Sequence, residues 1–434
     1  MWLIFSAYVL IQCFKYLLDW LNVRHMEERG GTVPPEFEGA VDATVLRKSQ
    51  NYLNDQTKLG RVESAFMSLA VLIFFFGGLL DMYSSWIAGL RLPFLMTGWI
   101  FFILLSLAEQ ALVIPFNILN VFKLERRYGF ATTTAKLWVL DLVKEVFISS
   151  VILSFITCAG LWLISRSPDH WWLWFWAVIF SFSIVITYIS PYVIEPLFNR
   201  FTPLEDETLK QRILDLAGTA GISARKVLKM DASTRTRHSN AYFTGLGKTK
   251  RIVLFDTLLE GTSHGEILAV LAHEIGHWRR HHLVKSLLIF EAASLAGLYL
   301  LFRATKTGFL TSLLRIRIDT LFSRVTISVF LGGMLIFLMH PVMMAFTRHM
   351  EKEADRLSFE FTHGTSDLIS ALVKLSKDNL SNPYPHPLYV AFHYSHPPVL
   401  ERIRALREAE KEGSWVKVGQ PPGQKFSSEH GGGC

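Results

Sequence analysis

Charge and cysteine are what this chain has least of. Only 19% of its 434 residues are charged, against about a quarter in soluble domains, and that shortfall argues against a soluble globular protein. There are three cysteines, Cys13, Cys158 and Cys434. Two lie in apolar runs and the third is terminal, which excludes a disulfide framework and a cysteine metal site. Cys434 is last rather than fourth from the end, so the chain is not expected to carry a prenylation acceptor of its own. The net charge of +7 is scattered between apolar runs instead of gathered into one stripe, which excludes nucleic acid as a partner. No internal repeat is evident.

What is abundant is apolar. Half of the residues are hydrophobic, with 33 Phe and 12 Trp. A bilayer crossing takes about 20 predominantly apolar residues. Seven segments meet this: 1–21, 64–83, 94–118, 146–166, 171–195, 284–302 and 325–347. The first lacks a basic start and a small-residue cleavage site, so it is a span rather than a signal peptide. The lipid bilayer is thus the first expected partner.

Lys and Arg counts orient the spans. The 22–63 connection has six, 84–93 one, 119–145 five, 167–170 none and 196–283 thirteen. This alternation places the N-terminus outside and 196–283 in the cytoplasm. The 303–324 connection runs against it, with Arg303, Lys306, Arg315, Arg317 and Arg324. Glu109, Glu291 and His340 fall inside spans, where ionisable groups face a bundle interior or a wet cavity.

The chain therefore divides into five spans (1–195), an α+β segment (196–283), two further spans (284–347), a segment 348–410 and a Gly/Pro-rich tail 411–434 expected to be disordered. Within 196–283, "EDETLKQRILDLAGTAGI" (205–222) reads as an amphipathic helix. Residues 225–231, 240–247 and 251–259 read as strands around the turns "GLGK" and "TSHG".

The stretch "LAVLAHEIGHWRRHH" (268–282) carries the chemistry. His273 and His277, at i and i+4 on a helix, lie about 40° apart around its axis, so both imidazoles can reach one ion. Zinc accepts neutral imidazole, and two histidines plus one carboxylate leave a position for water. Glu274 points about 100° from His273, beside the ion, as a base acting on that water would. The motif alone is also compatible with a chance match.

A third ligand is sought in "RHMEKEADRLSFE" (348–360), a helix following the seventh span. Glu351 and Asp355 share one face while Glu353 points elsewhere. Two readings stand on spacing alone. Either Glu351 is the third ligand and Asp355 holds the free N–H of a ligating histidine, or the face is a solvated one beside Arg348, Lys352 and Arg356. His281 and His282, with Arg279 and Arg280, are expected to face lipid headgroups. His349 and His363 are expected at the surface. "SHPP" by itself reads as a turn before a helix, with His396 as its cap.

Four stretches then carry a resemblance: "RHSNAYFTG" (237–245), "RIVLFDTLL" (251–259) leading into "VLAHEIGHW" (270–278), "EKEAD" (351–355) and "HYSHPPVLERI" (393–403). In order and spacing they are similar to the type I CAAX prenyl proteases, the multi-spanning zinc metalloproteases related to the yeast a-factor converting enzyme. The resemblance implies an α-helical multi-pass membrane protein: seven transmembrane helices around a water-filled chamber, with a small α+β metalloprotease unit. It implies one zinc ion held by His273, His277 and Glu351, with Glu274 as base and Asp355 behind the ligands. It places His396 and Arg402 near the substrate and the reacting carbonyl, and Asn240 on the strand that receives substrate. The implied substrate is a prenylated CAAX-type protein or related membrane-associated peptide, cut before its C-terminal tripeptide.

The expected localisation is the endoplasmic reticulum membrane in a eukaryotic host and the plasma membrane in a prokaryotic one. The short 303–324 connection fits a prokaryotic relative. No oligomeric state follows from the sequence. Two other functions share parts of the pattern. A heat-shock-type membrane quality-control protease has the same zinc motif but fewer spans. A transporter or scaffold with structural zinc would close the site with four protein ligands, and here three are identifiable beside a base.

Overall fold

The computed structural model describes residues 1–222, 226–244 and 251–413. Seven of its helices are long and apolar enough to cross a bilayer. Five come first: α1 (Trp2–Arg29), α2 (Ala43–Phe76), α3 (Phe94–Tyr128), α4 (Ala135–Arg166) and α5 (Trp171–Phe198). An α+β segment follows, with helices α6 (Glu207–Thr219) and α7 (His264–Arg279). Two more spanning helices come next, α8 (His282–Thr305) and α9 (Leu321–Thr362). The chain then folds into α10 (Ser366–Asp378), α11 (Pro387–His393) and α12 (Val399–Lys411). Large apolar side chains such as Phe147, Phe290 and Val329 stand exposed on the spanning helices. A water-facing monomer does not tolerate such a surface, and a bilayer covers it.

The spans run longer than hydropathy marks them, because several continue past the apolar run as polar helix. The expected span 64–83 is corrected. Its helix starts at Ala43 and ends at Phe76, and Gly78 then adopts a left-handed conformation (φ 87°) before a separate helix Leu79–Gly89. Gly77 and Gly78 are apolar enough for a hydropathy window to pass over, yet a left-handed glycine ends a helix. Conversely, the seventh span and the 348–360 helix are one uninterrupted rod of 42 residues. Glu351 and Asp355 are therefore rigidly fixed to a spanning helix.

The basic 303–324 connection is ordered by its charges. Arg324 pairs with Asp319, and Lys306 with Asp169. Asp81 accepts from the backbone N–H groups of Arg317 and Ile318. Glu291, inside α8, packs against α5: it accepts from Ser183 Oγ at 2.9 Å and is 3% exposed.

The α+β unit holds a four-stranded sheet in the order β1 (Phe201–Pro203), β2 (Lys226–Met230), β4 (Arg251–Phe255), β3 (Ala241–Thr244). β2 and β4 are parallel, and β3 runs antiparallel to β4. β3 is thus an edge strand. The expected strands at 225–231, 240–247 and 251–259 correspond to β2, β3 and β4, with 256–259 turning helical. The short β1 was not legible in the sequence. The expected "GLGK" turn lies outside the described residues, as do residues 414–434 of the tail. "TSHG" is a helix start rather than a free turn: Ser263 caps α7 in a reciprocal box with Glu266.

Val227, Ile252 and Leu254 of the sheet bury against Leu209 and Ile213 of α6 and Ile267 and Leu271 of α7. At roughly 1.5–3 kcal/mol per fully buried aliphatic side chain, this core holds α7 firmly on the sheet. On its other side, α7 meets α9 at Gly276. A Cβ there would lie 2.9 Å from the Ala354 Cα, so only glycine lets the two helices approach this closely. That approach sets the distance between the histidines of one helix and the carboxylates of the other.

Candidate active site

His273 and His277 project from α7 toward Glu351 on α9. Their Nε2 atoms lie 3.3 Å apart, and each is 3.2 Å from a carboxylate oxygen of Glu351. One donor atom from each of the three side chains falls within 4.8 Å of the others. Glu351 Oε2 is buried and has no hydrogen bond of adequate geometry, although His273 Nε2 and His396 Nδ1 crowd it at 3.2 and 2.7 Å. Close donors without aligned hydrogen bonds are what a cation-centred set looks like. Two imidazoles and one carboxylate suit zinc, with a coordination position left over.

The groups behind the triad fix its tautomers. Asp355, one turn on from Glu351, lies 2.8 Å from His273 Nδ1. It accepts the Nδ1–H there and leaves the Nε2 lone pair for an ion. Arg402 on α12 closes on Asp355 with both prongs, Nε at 2.9 Å and Nη2 at 2.6 Å. Burial opposes protonation of His273, but the neighbouring carboxylates of Asp355 and then Glu351 outweigh it and raise its pKa to about 9. A metal ion entering the site at neutral pH therefore displaces a proton.

His277 has a support of its own, which the sequence reading misplaced. His282 does not face headgroups: it is 3% exposed, with its Nδ1 3.0 Å from His277 Nδ1 and its Nε2 3.0 Å from Glu353 Oε2. The consistent tautomers are His277 Nδ1–H donating to His282, and His282 Nε2–H donating to Glu353. The cause is a break between α7 and α8, where His281 takes a left-handed conformation (φ 55°) and turns His282 inward. Arg279, Arg280 and His281 remain exposed, as do His349 and His363. The sequence signal was Glu353, a charge set aside for pointing away from Glu351. Replacing His282 with Ala is expected to weaken zinc binding about 10- to 100-fold. Chelator competition measures this, and unchanged affinity would remove the role assigned to His282.

Glu274 is half-buried and lines a cavity of about 640 Å³ together with His273, Asn240, Tyr394, His396 and Arg402. His396, with its side chain 60% exposed, reaches over the cavity to Glu351. Arg402 is spent mainly on Asp355, so its guanidinium supports the site from behind. Asn240 sits just ahead of β3, and its Oδ1 accepts from the N–H of Ala241 at 2.8 Å. Gly245, at the end of the expected substrate strand, lies outside the described residues. The membrane helices help to hold this rim. Glu125, on a π-helical turn of α3, accepts from Tyr52 Oη at 2.7 Å and lies 3.4 Å from His238, two residues before Asn240.

Of the site residues named from the sequence, Asn240, His273, Glu274, His396 and Arg402 line one cavity, His277 and Glu351 join His273 in the donor cluster, and Asp355 stands behind His273. Residues 22–200 match the family described as CAAX prenyl protease N-terminal, five membrane helices, and residues 203–410 match peptidase family M48. The chain is 36% identical to a CAAX prenyl protease 1 homolog of Arabidopsis thaliana, over 70% of this chain and 72% of that one. It is 31% identical to the uncharacterized metalloprotease YhfN of Bacillus subtilis, over 94% and 95% of the two chains. The crystal structure of S. mikatae Ste24p superposes with a TM-score of 0.86 at 30% identity, covering 92% of this chain and 97% of that one. With seven spanning helices and the convergent His, His and Glu donors, the chain belongs to the CAAX prenyl protease 1 family within peptidase family M48 and is a multi-pass integral-membrane metalloprotease.

Proposed function

We propose that this protein is a zinc endopeptidase that removes the C-terminal tripeptide from prenylated CAAX-type proteins at the cytoplasmic side of its membrane. The observation that carries the reading is the placement of Glu274. It lines one cavity with His273, a member of the His273, His277 and Glu351 donor cluster, and with Asn240, just ahead of an edge strand. The Lys and Arg distribution supports the cytoplasmic orientation.

When bound, zinc supplies the Lewis acidity that activates water and stabilises negative oxygen. The protein's own groups do the rest. Glu274 takes the proton from the attacking water and passes it to the leaving amine. His396 stands where it can donate to the developing oxyanion. Arg402 and Asp355 hold His273 in the tautomer the site requires, and His282 with Glu353 does the same for His277. The substrate lies extended beside β3, its main chain pairing as an added strand.

The test uses purified, zinc-loaded protein and a farnesylated CAAX peptide beside its unfarnesylated twin. Mass spectrometry should show release of the last three residues, faster from the farnesylated peptide. Equal rates would remove the prenyl requirement. No tripeptide from either peptide would overturn the reading.

A further inference from the structure

Beyond the reacting centre, the cavity wall carries a basic group that the chemistry above does not use, and two more stand behind it. His393, the last residue of α11, lines the cavity. Its neighbour Phe392 packs on Phe337 of α9, with ring centroids 5.4 Å apart. Lys15 of α1 and His340 of α9 flank the same Phe337 ring: Lys15 Nζ is 4.9 Å from its centroid, and the His340 ring 5.9 Å. Desolvation and then the charges of His340 and Lys15 lower the pKa of His393, so the three groups sense one another. Among the described residues none of the three has a carboxylate within ion-pair distance. The nearby Asp19 lies 3.9 Å from Arg61. A lysine inside a spanning helix without a counter-ion is costly, and a carboxylate delivered from outside would complete it.

From this geometry we propose that Lys15, His340 and His393 form a subsite for the free C-terminal carboxylate of the peptide substrate. The inference rests on the peptidase reading and deepens it: the enzyme measures its cut from the chain end. The spacing fits. His396 contacts Glu351 at the reacting centre, and His393 is three residues away, at most about 11 Å along the chain. A carboxylate held there ends a stretch of about three extended residues, which span about 10 Å. Lys15 supplies charge and the two imidazoles supply N–H donors, the chemistry of carboxylate capture.

The test compares farnesylated CAAX peptides identical except for a C-terminal carboxylate or carboxamide. Wild-type protein should cut the acid with kcat/KM about 10- to 100-fold above the amide, as loss of a charged hydrogen-bonding partner implies. In Lys15→Met, and separately in His393→Gln, that ratio should fall toward one through KM, with zinc content unchanged. Acid and amide cut equally by wild-type protein would overturn the subsite, as would variants that keep the wild-type ratio. Failure to cut either peptide would instead overturn the peptidase reading.

Discussion

Replacing Glu274 with Gln is expected to lower kcat by about 10²- to 10⁴-fold, the usual contribution of a positioned general base, with zinc still bound at one ion per chain. The side chain lies in the cavity but outside the set of atoms that converge on the ion, which is His273, His277 and Glu351. A carboxamide has the same shape and cannot accept the proton from water. Rate and metal content must be measured on the same sample. A variant cutting peptide at the wild-type rate would remove Glu274 as base. One that lost its zinc would place Glu274 among the ligands, against the geometry seen here.

The part of this site that the sequence displayed best is the part built by short-range periodicity. His273 and His277 point to one place because a helix returns to the same face after four residues. Glu351 and Asp355 share that property on α9. What spacing could not supply is how far apart the two helices stand, and that depends on Gly276 against Ala354. No count along the chain reveals a contact of that kind. For this reason a solvated charged face and a ligand face looked equally good for 348–360.

The misreadings have a common origin in left-handed residues. Gly78 divides an apolar run that looked like one span, and His281 turns His282 inward from a run of basic neighbours that looked superficial. Both depend on a single φ angle that neither hydropathy nor charge pattern encodes. His396 and Arg402 were legible only through the resemblance to known proteases. From the residues alone, "SHPP" was a turn and a cap. In the structure α12 does begin there, and Arg402 points back from it onto Asp355.

His273 and His277 are held by unequal devices. His277 leans on His282 and Glu353, and Glu353 is partly open to solvent, with its side chain 30% exposed. Behind His273 stands a buried ion pair, Asp355 and Arg402, with side chains 3% and 12% exposed. An outer support that water can reach weakens gracefully when altered, because water replaces the lost partner. A buried pair does not, since removing one charge strands the other.

Asp355→Leu is therefore the substitution expected to damage the folded protein most. It leaves the Arg402 guanidinium buried without a counter-charge and the His273 Nδ1–H without an acceptor. Breaking a buried pair in this way costs about 3–5 kcal/mol, a large share of the 5–15 kcal/mol that typically holds a domain together. Thermal unfolding in detergent should show a clear drop, and zinc affinity should fall about 10- to 100-fold as His273 loses its orientation. The double variant Asp355→Leu with Arg402→Met separates the two effects. Removing both charges takes away the stranded cation, so much of the stability should return. His273 still has nothing to hold its ring, so zinc affinity should stay low. If the double variant unfolds as readily as Asp355→Leu alone, the stranded guanidinium is not the source of the loss. If it regains wild-type zinc affinity, His273 needs no carboxylate behind it. The expected split, stability restored and metal affinity not, assigns Arg402 to holding Asp355 in place and Asp355 to aiming the imidazole.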